Sequence, residues 1–139
     1  MYVDPKLETG PLVLVVEDDL FFQSLVKRVF FKQNIQGVYA ENGAQAVILL
    51  NTTPGITHLL LDLNMPTMDG YALLEYINRQ EKFDHLPVFI CSCYQKQHFA
   101  SSAVKKNLDL SKVKMYFEKP VDFNLLVNAF VTIGKENRW

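Results

Sequence analysis

A small set of side chains in this sequence can bind a cation or handle a phosphoryl group, and each follows a short apolar run. Glu17, Asp18 and Asp19 follow Leu12-Val13-Leu14-Val15-Val16, and Asp62 follows Leu59-Leu60-Leu61. Ser92 follows Val88-Phe89-Ile90-Cys91, and Lys119 stands just beyond the run from Val113 to Phe117. A carboxylate directly behind three leucines loses hydration, and neighbouring acids disfavour its charged form unless a cation compensates. Clustered carboxylates with no arginine nearby point to a hard divalent cation. Mg2+ suits best, because it takes oxygen ligands from one or two carboxylates and keeps places for water and phosphate oxygens. Beside such an ion Asp62 can attack phosphorus and form an acyl phosphate. Lys119 can then pair with the transferred phosphoryl, and Ser92 can hydrogen-bond it. Taken singly, each residue has a plainer reading. Acids between a strand and a helix commonly cap the helix, as Asp19 is expected to do, and a lone lysine is usually solvated.

The elements that must position these groups are legible as alternating patterns. The nearly continuous apolar run Leu12–Val16 reads as a strand covered on both faces, and His58–Leu61, Pro87–Cys91 and Val113–Phe117 read as further strands, with a shorter candidate at Val38–Ala40. Between them lie stretches of helical spacing. Leu20 to Gln33 carries Phe22, Leu25, Val26, Val29 and Phe30 on one side, and a second helix opens at Asn42-Gly43 and runs through Leu50. A third follows Asp69-Gly70 with Leu73, Leu74, Tyr76 and Ile77. The fourth, Gln95 to Lys106, places Phe99, Ala103 and Val104 together, and the last carries Phe123, Leu126, Ala129, Phe130 and Ile133 behind a capping Asp122. Successive strand–helix units predict an α/β fold, a doubly wound parallel sheet with right-handed crossovers and helices on both faces. In such sheets ligands bind at the carboxyl ends of the strands, where the acids, Ser92 and Lys119 all fall.

The chain has 139 residues, of which 49% are apolar and 21% charged, the balance of one soluble globular domain. A net charge of -1 gives no bulk attraction to nucleic acid or anionic membrane. No apolar run approaches the roughly 20 residues that span a bilayer, and Met1 to Lys6 lacks the layout of a signal peptide. The cytoplasm is the expected location. Cys91 and Cys93 would point to opposite faces of a strand, so they read as two small buried hydrophobes rather than a disulfide. Residues 1–10 read as a loosely held arm, and residues 11–139 as a single domain. Only six residues follow Ile133; if they complete the gene product, signalling by protein contact is expected, and otherwise an effector domain is expected beyond them.

From about Leu12 to Ile133 the chain resembles the receiver domain of two-component response regulators, the fold of the chemotaxis response regulator. The resemblance rests on Val15-Val16-Glu17-Asp18-Asp19, Leu61-Asp62-Leu63-Asn64-Met65-Pro66-Thr67-Met68-Asp69-Gly70, Pro87 to Ser92, and Glu118-Lys119-Pro120. It implies a flavodoxin-like five-stranded sheet, (βα)5, in the order 2-1-3-4-5. It also implies Asp62 as phosphoacceptor, with Mg2+ held directly by Asp18 and Asp62, by Glu17 through water, and by the backbone carbonyl of Asn64. Ser92 would be the switch hydroxyl, Lys119 the phosphoryl-binding lysine and Tyr116 the aromatic switch, with a cis peptide between Lys119 and Pro120. The partners implied are a sensor histidine kinase or histidine phosphotransfer protein as donor, and a protein target on the face of the fourth helix, fifth strand and fifth helix. Homodimerisation on phosphorylation belongs to the same expectation, with neither nucleic-acid binding nor membrane insertion. The chain would be a switch rather than an enzyme.

Three features depart from the family pattern. Cys93 stands where a smaller alanine is common and is expected to narrow access to Asp62. Tyr94 is bulky at a position that tunes self-dephosphorylation. Asn107-Leu108-Asp109-Leu110-Ser111 lengthens the connection into the fifth strand and replaces a small glycine-containing turn. Competing readings are a pseudo-receiver that binds partners without phosphorylation, a Mg2+-dependent phosphohydrolase with an aspartate nucleophile, and a redox role for Cys93. The hydrolase reading calls for a second acid two residues past the nucleophile, where this chain has Asn64.

Overall fold

The computed structural model describes residues 10–136, with side chains described through Ile133. Five strands, β1 (Leu12–Val16), β2 (Gln36–Ala40), β3 (His58–Leu61), β4 (Val88–Ser92) and β5 (Val113–Glu118), alternate with five helices. These are α1 (Leu20–Lys32), α2 (Gly43–Thr52), α3 (Gly70–Asn78), α4 (Lys96–Lys105) and α5 (Phe123–Glu136). The strands form one parallel sheet in the order β2-β1-β3-β4-β5. The arm expected over residues 1–10 lies, except for Gly10, outside the described residues.

Strand alternation divides the core in two. Val13, Val15, Leu60, Phe89 and Cys91 pack with Val26, Phe30, Leu126 and Phe130 of α1 and α5. Leu14, Val16, Leu59, Leu61, Val88 and Ile90 pack with Leu50, Leu73, Leu74, Ile77 and Phe99 of α2, α3 and α4. Burial on both faces is why β1, β3 and β4 read as unbroken apolar runs. The edges differ from expectation. β2 begins two residues before Val38, because Gln36 and Gly37 pair with Leu12 and Val13 at a sheet edge that tolerates polar residues. In β5, Val113 pairs with Val88 and Met115 with Phe89, so Lys114 is an extra residue in an edge bulge.

Asp19, Asn42 and Asp69 cap α1, α2 and α3 through their side-chain oxygens, and Asp122 accepts from the first turn of α5. In α4, Phe99 and Ala103 are buried, but Val104 is 81% exposed, which corrects the expectation that it shares their face. One step beyond Ala103 turns a side chain about 100° around the helix, off the core-facing stripe.

The lengthened connection after α4 has its own internal logic. Asn107 takes the left-handed conformation, φ 52°, that a glycine commonly supplies. Leu108 N–H donates to Ala103 C=O at 2.9 Å and Asn107 N–H to Val104 C=O at 3.1 Å, which closes the helix end. Leu108 and Leu110 then pack against the core, while Asp109 accepts from Ser111 N–H at 2.9 Å. Asn107→Ala is expected to destabilise the protein by about 1 kcal/mol, since alanine lacks the local hydrogen bonding that eases this conformation. Urea denaturation would show it as a lower midpoint with unchanged slope.

Candidate functional site

The strand order places a cleft at the carboxyl ends of β1 and β3. From there the chain leaves toward β2 on one side, and toward β4 and β5 on the other. Two backbone hydrogen bonds extend the ladder into this cleft. Glu17 N–H donates to Ala40 C=O, and Asp62 N–H donates to Val16 C=O, both at 3.0 Å. Glu17 and Asp62 are therefore held by the sheet itself, 2% and 7% exposed, while Asp18 faces solvent.

Carboxylate oxygens of Glu17, Asp18 and Asp62 lie within 4.8 Å of one another, close enough for one hard cation to gather with little movement. Lys119 provides the ammonium. Its Nζ donates to Glu17 Oε1 and stands 3.9 Å from Asp62 Oδ2. The Lys119 side chain is only 16% exposed, so the reading of a solvated surface lysine does not hold. Its Nζ also lies 4.3 Å from the ring centroid of Phe22, an aromatic face that attracts a cation.

The electrostatics follow from crowding in a poorly hydrated cleft. Burial pushes the Glu17 carboxyl up to about 8; the Lys119 hydrogen bond opposes that rise and nearby Asp62 adds to it. Burial pulls the Lys119 ammonium down, but the Glu17 and Asp62 carboxylates outweigh it, and the net shift is upward. Three carboxylates cluster beside one ammonium here, and a divalent cation would balance the excess charge. The oxygen-only donor set fits Mg2+.

The Asp62 loop is seated on α3 by close approach. Gly70 N–H donates to Leu63 C=O at 3.0 Å, and a Cβ on Gly70 would lie 2.3 Å from the Asp62 carbonyl oxygen. Within the loop Thr67 holds φ at 70° while Met68 N–H donates to Pro66 C=O at 2.8 Å, a strained turn for a β-branched residue. Asn64 is exposed two residues past Asp62 on this loop.

On the β4 side, Ser92 is buried and its Oγ accepts from Tyr94 N–H at 3.1 Å. Tyr116 is half-buried, with its ring 5.2 Å from that of Phe99 and its OH donating to Tyr94 C=O at 2.7 Å. Burial pushes the Tyr116 phenol up to about 12, against the pull of the Ser92 hydroxyl. The Tyr94 backbone thus joins Ser92 to Tyr116, a link that the bulk of its side chain gave no reason to expect. The Tyr94 ring packs beside His98, 4.7 Å between centroids. The Lys119–Pro120 peptide is cis, as the resemblance implied.

Cys91 is buried, and burial pushes its thiol up to about 12, which suits an inert core position. Cys93 is exposed, correcting the reading of both cysteines as buried; it follows the last residue of β4 and leaves the strand's covered faces. Spacing sets Phe22 on the apolar side of α1 and gives neither it nor Gln23 a part in the site, yet they contact Lys119 and the Glu17 carbonyl. Gln23 carries a weak signal in hindsight, as a polar residue three and seven positions before the buried Val26 and Phe30. Among the described residues, no helix is long and apolar enough to cross a membrane.

Comparison with known proteins places this arrangement. The family model described as response regulator receiver domain matches residues 13–131. The chain is 32% identical over 113 residues to the two-component response regulator ORR12 of Oryza sativa subsp. japonica, covering 81% of this chain and 89% of that one. It is similar to the receiver domain of the Francisella response regulator 1452, with 26% identity, a TM-score of 0.78, and coverage of 93% and 100% of the two chains. It is also similar to a chain in the CheX-CheY-BeF3-Mg+2 complex of Borrelia burgdorferi, with 26% identity, a TM-score of 0.72 and 88% of each chain covered.

Proposed function

This chain belongs to the response regulator receiver domain family of two-component signalling, and from that premise we propose that Asp62 is its phosphoacceptor. The observation that carries the reading is the setting of Asp62. It directly follows a central strand, with carboxylate oxygens of Glu17 and Asp18 within 4.8 Å and the Lys119 ammonium 3.9 Å away. The donor is a phosphohistidine on a sensor kinase or histidine phosphotransfer protein. An Asp62 carboxylate oxygen forms the new O–P bond while the N–P bond breaks, and its electron pair returns to the donor imidazole. Asp18, Asp62 and the Asn64 carbonyl would hold Mg2+, with Glu17 acting through water, and the bound ion would supply positive charge against the phosphoryl oxygens. The Borrelia relative solved with Mg+2 supports that choice of ion.

Lys119 is already within a short shift of Asp62, and moves from Glu17 to the incoming phosphoryl oxygens. The product adds up to about two negative charges at the strand end. Ser92 then leaves Tyr94 N–H to hydrogen-bond the phosphoryl, and this loosens the Tyr94 backbone on which the Tyr116 hydroxyl rests. Tyr116 is the second switch residue, and the output is a changed surface over α4, β5 and α5. Exposed Val104, Met115 and Leu125 on those elements support a protein target there, or a second copy of the chain. Driving such a switch from mostly off to mostly on requires about 5 kcal/mol of differential stabilisation.

The test is incubation with Mg2+ and acetyl phosphate followed by intact-mass measurement. A gain of one phosphoryl mass, labile to hydroxylamine and suppressed by a chelator, is expected. No gain from acetyl phosphate or from phosphorylated histidine donors would overturn the reading in favour of a phosphorylation-independent binding module. Steady release of phosphate from monoesters would favour a hydrolase.

A further inference from the structure

We propose that Gln23 is a positioning residue that sets the acidic turn for divalent-cation binding, an inference that rests on the metal reading above. Gln23 lies on the buried stripe of α1 with Val26 and Phe30 and is 4% exposed. An amide in that setting must find hydrogen-bond partners, and the partners it has are specific. Its Nε2 donates to Glu17 C=O at 2.7 Å and to Ala40 C=O at 3.0 Å, the carbonyls that lead out of β1 and end β2.

The Glu17 carbonyl belongs to the peptide that joins the two acids Glu17 and Asp18. The orientation of that planar unit sets the direction in which the Asp18 side chain leaves the backbone. The same residue is gripped from the other side, because Glu17 N–H donates to Ala40 C=O at 3.0 Å. Gln23 therefore ties the exit of β1 to the end of β2 and fixes the peptide between the acids at its oxygen. Past this point the chain turns at once into the Asp19 cap, with Asp19 N–H donating to Glu17 Oε2 at 3.2 Å. Asp18 is exposed and, of the three acids, depends most on its backbone for placement. Gln23 touches neither the cation nor the phosphoryl group; it acts through the turn.

Gln23→Met keeps the length and bulk of the side chain and removes both donors. The full chain and this variant would be titrated with Mn2+, following free Mn2+ by electron paramagnetic resonance. The apparent Kd for the variant is expected to rise about tenfold, the usual effect of removing support behind a metal ligand. Acyl-phosphate formation should approach the wild-type rate at saturating Mg2+. A residue that only filled the core would lower thermal stability but leave Mn2+ affinity of the folded protein within twofold of wild type, and that result would overturn the proposal. Gln23→Asn keeps the amide one methylene short of both carbonyls. A shift in the same direction from it supports the proposal even if the methionine variant fails to fold, and unchanged affinity there overturns it. Wild-type protein that binds no Mn2+ at millimolar concentration would defeat the metal reading itself, and the proposal with it.

Discussion

Asp62→Ala is expected to take up no phosphoryl group from any donor, and to melt a few degrees above the wild-type protein. The two effects share one cause. In the proposed reaction Asp62 supplies the oxygen that attacks phosphorus, and no other carboxylate in the cleft is placed to replace it. Glu17 is buried and bonded to Lys119, and Asp18 faces outward. Asp62 also crowds its neighbours, since its carboxylate helps hold the Glu17 carboxyl above the usual range, after burial. Removing it leaves the Lys119–Glu17 pair intact and strands no buried cation. Relief of about 1 kcal/mol of like-charge crowding corresponds to roughly 3 °C in Tm for a domain of this size. Intact-mass measurement reads the first effect, and calorimetry without added divalent ions reads the second. An NMR titration should find the Glu17 carboxyl lowered in the variant. Phosphoryl gain retained by Asp62→Ala would remove Asp62 from the mechanism, and a lower Tm would show that its contacts outweigh its repulsions.

Gly70→Ala is expected to cost about 3 kcal/mol or more and to suppress phosphorylation although no reacting atom is touched. The added methyl group would meet the Asp62 carbonyl oxygen at 2.3 Å and the Leu63 Cα at 2.8 Å. Both are backbone atoms, so no side chain can swing away. Either α3 backs off the sheet or the Asp62 loop moves. The helix is anchored by Leu73, Leu74 and Ile77 in the core, so much of the displacement falls on the loop that carries Asp62 and Asn64. Gly55→Ala provides the contrast. Gly55 sits at φ 84° with nothing near its missing Cβ, so alanine there should cost about 1 kcal/mol from backbone conformation and leave phosphorylation unchanged. Denaturant midpoints and phosphoryl incorporation, measured on both variants, separate close approach from backbone strain. Equal phosphorylation in the two would show that the α3–loop contact does not govern the site.

Much of the fold and part of the site could be read from the chain before folding. Leu12–Val16 announces a doubly covered strand, and Asp19, Asn42 and Asp69 announce helix starts, because burial patterns and caps are local chemistry. Asp62 drew notice for the same reason, as a carboxylate with apolar neighbours along one strand. Where local pattern was thin, expectation slipped. The start of β2 at Gln36 and the exposure of Val104 depend on what lies across from each residue.

The sequence by itself determined which residues end the strands, and hence that acids, a serine and a lysine share one rim of the sheet. Only the tertiary structure decided how they meet. Lys119 reaches Glu17 across 102 residues only once the parallel sheet sets the ends of β1 and β5 on one rim. Gly70 matters as a point of contact with the Asp62 backbone, not as a turn former. Ser92 and Tyr116 each hydrogen-bond one of the two polar groups of the Tyr94 backbone. Gln23, an unremarked polar residue on an apolar stripe, grips the peptide between two acids. These relations share a physical origin. Side-chain reach and shared carbonyls are distances between elements, and they exist only once register and packing bring those elements together.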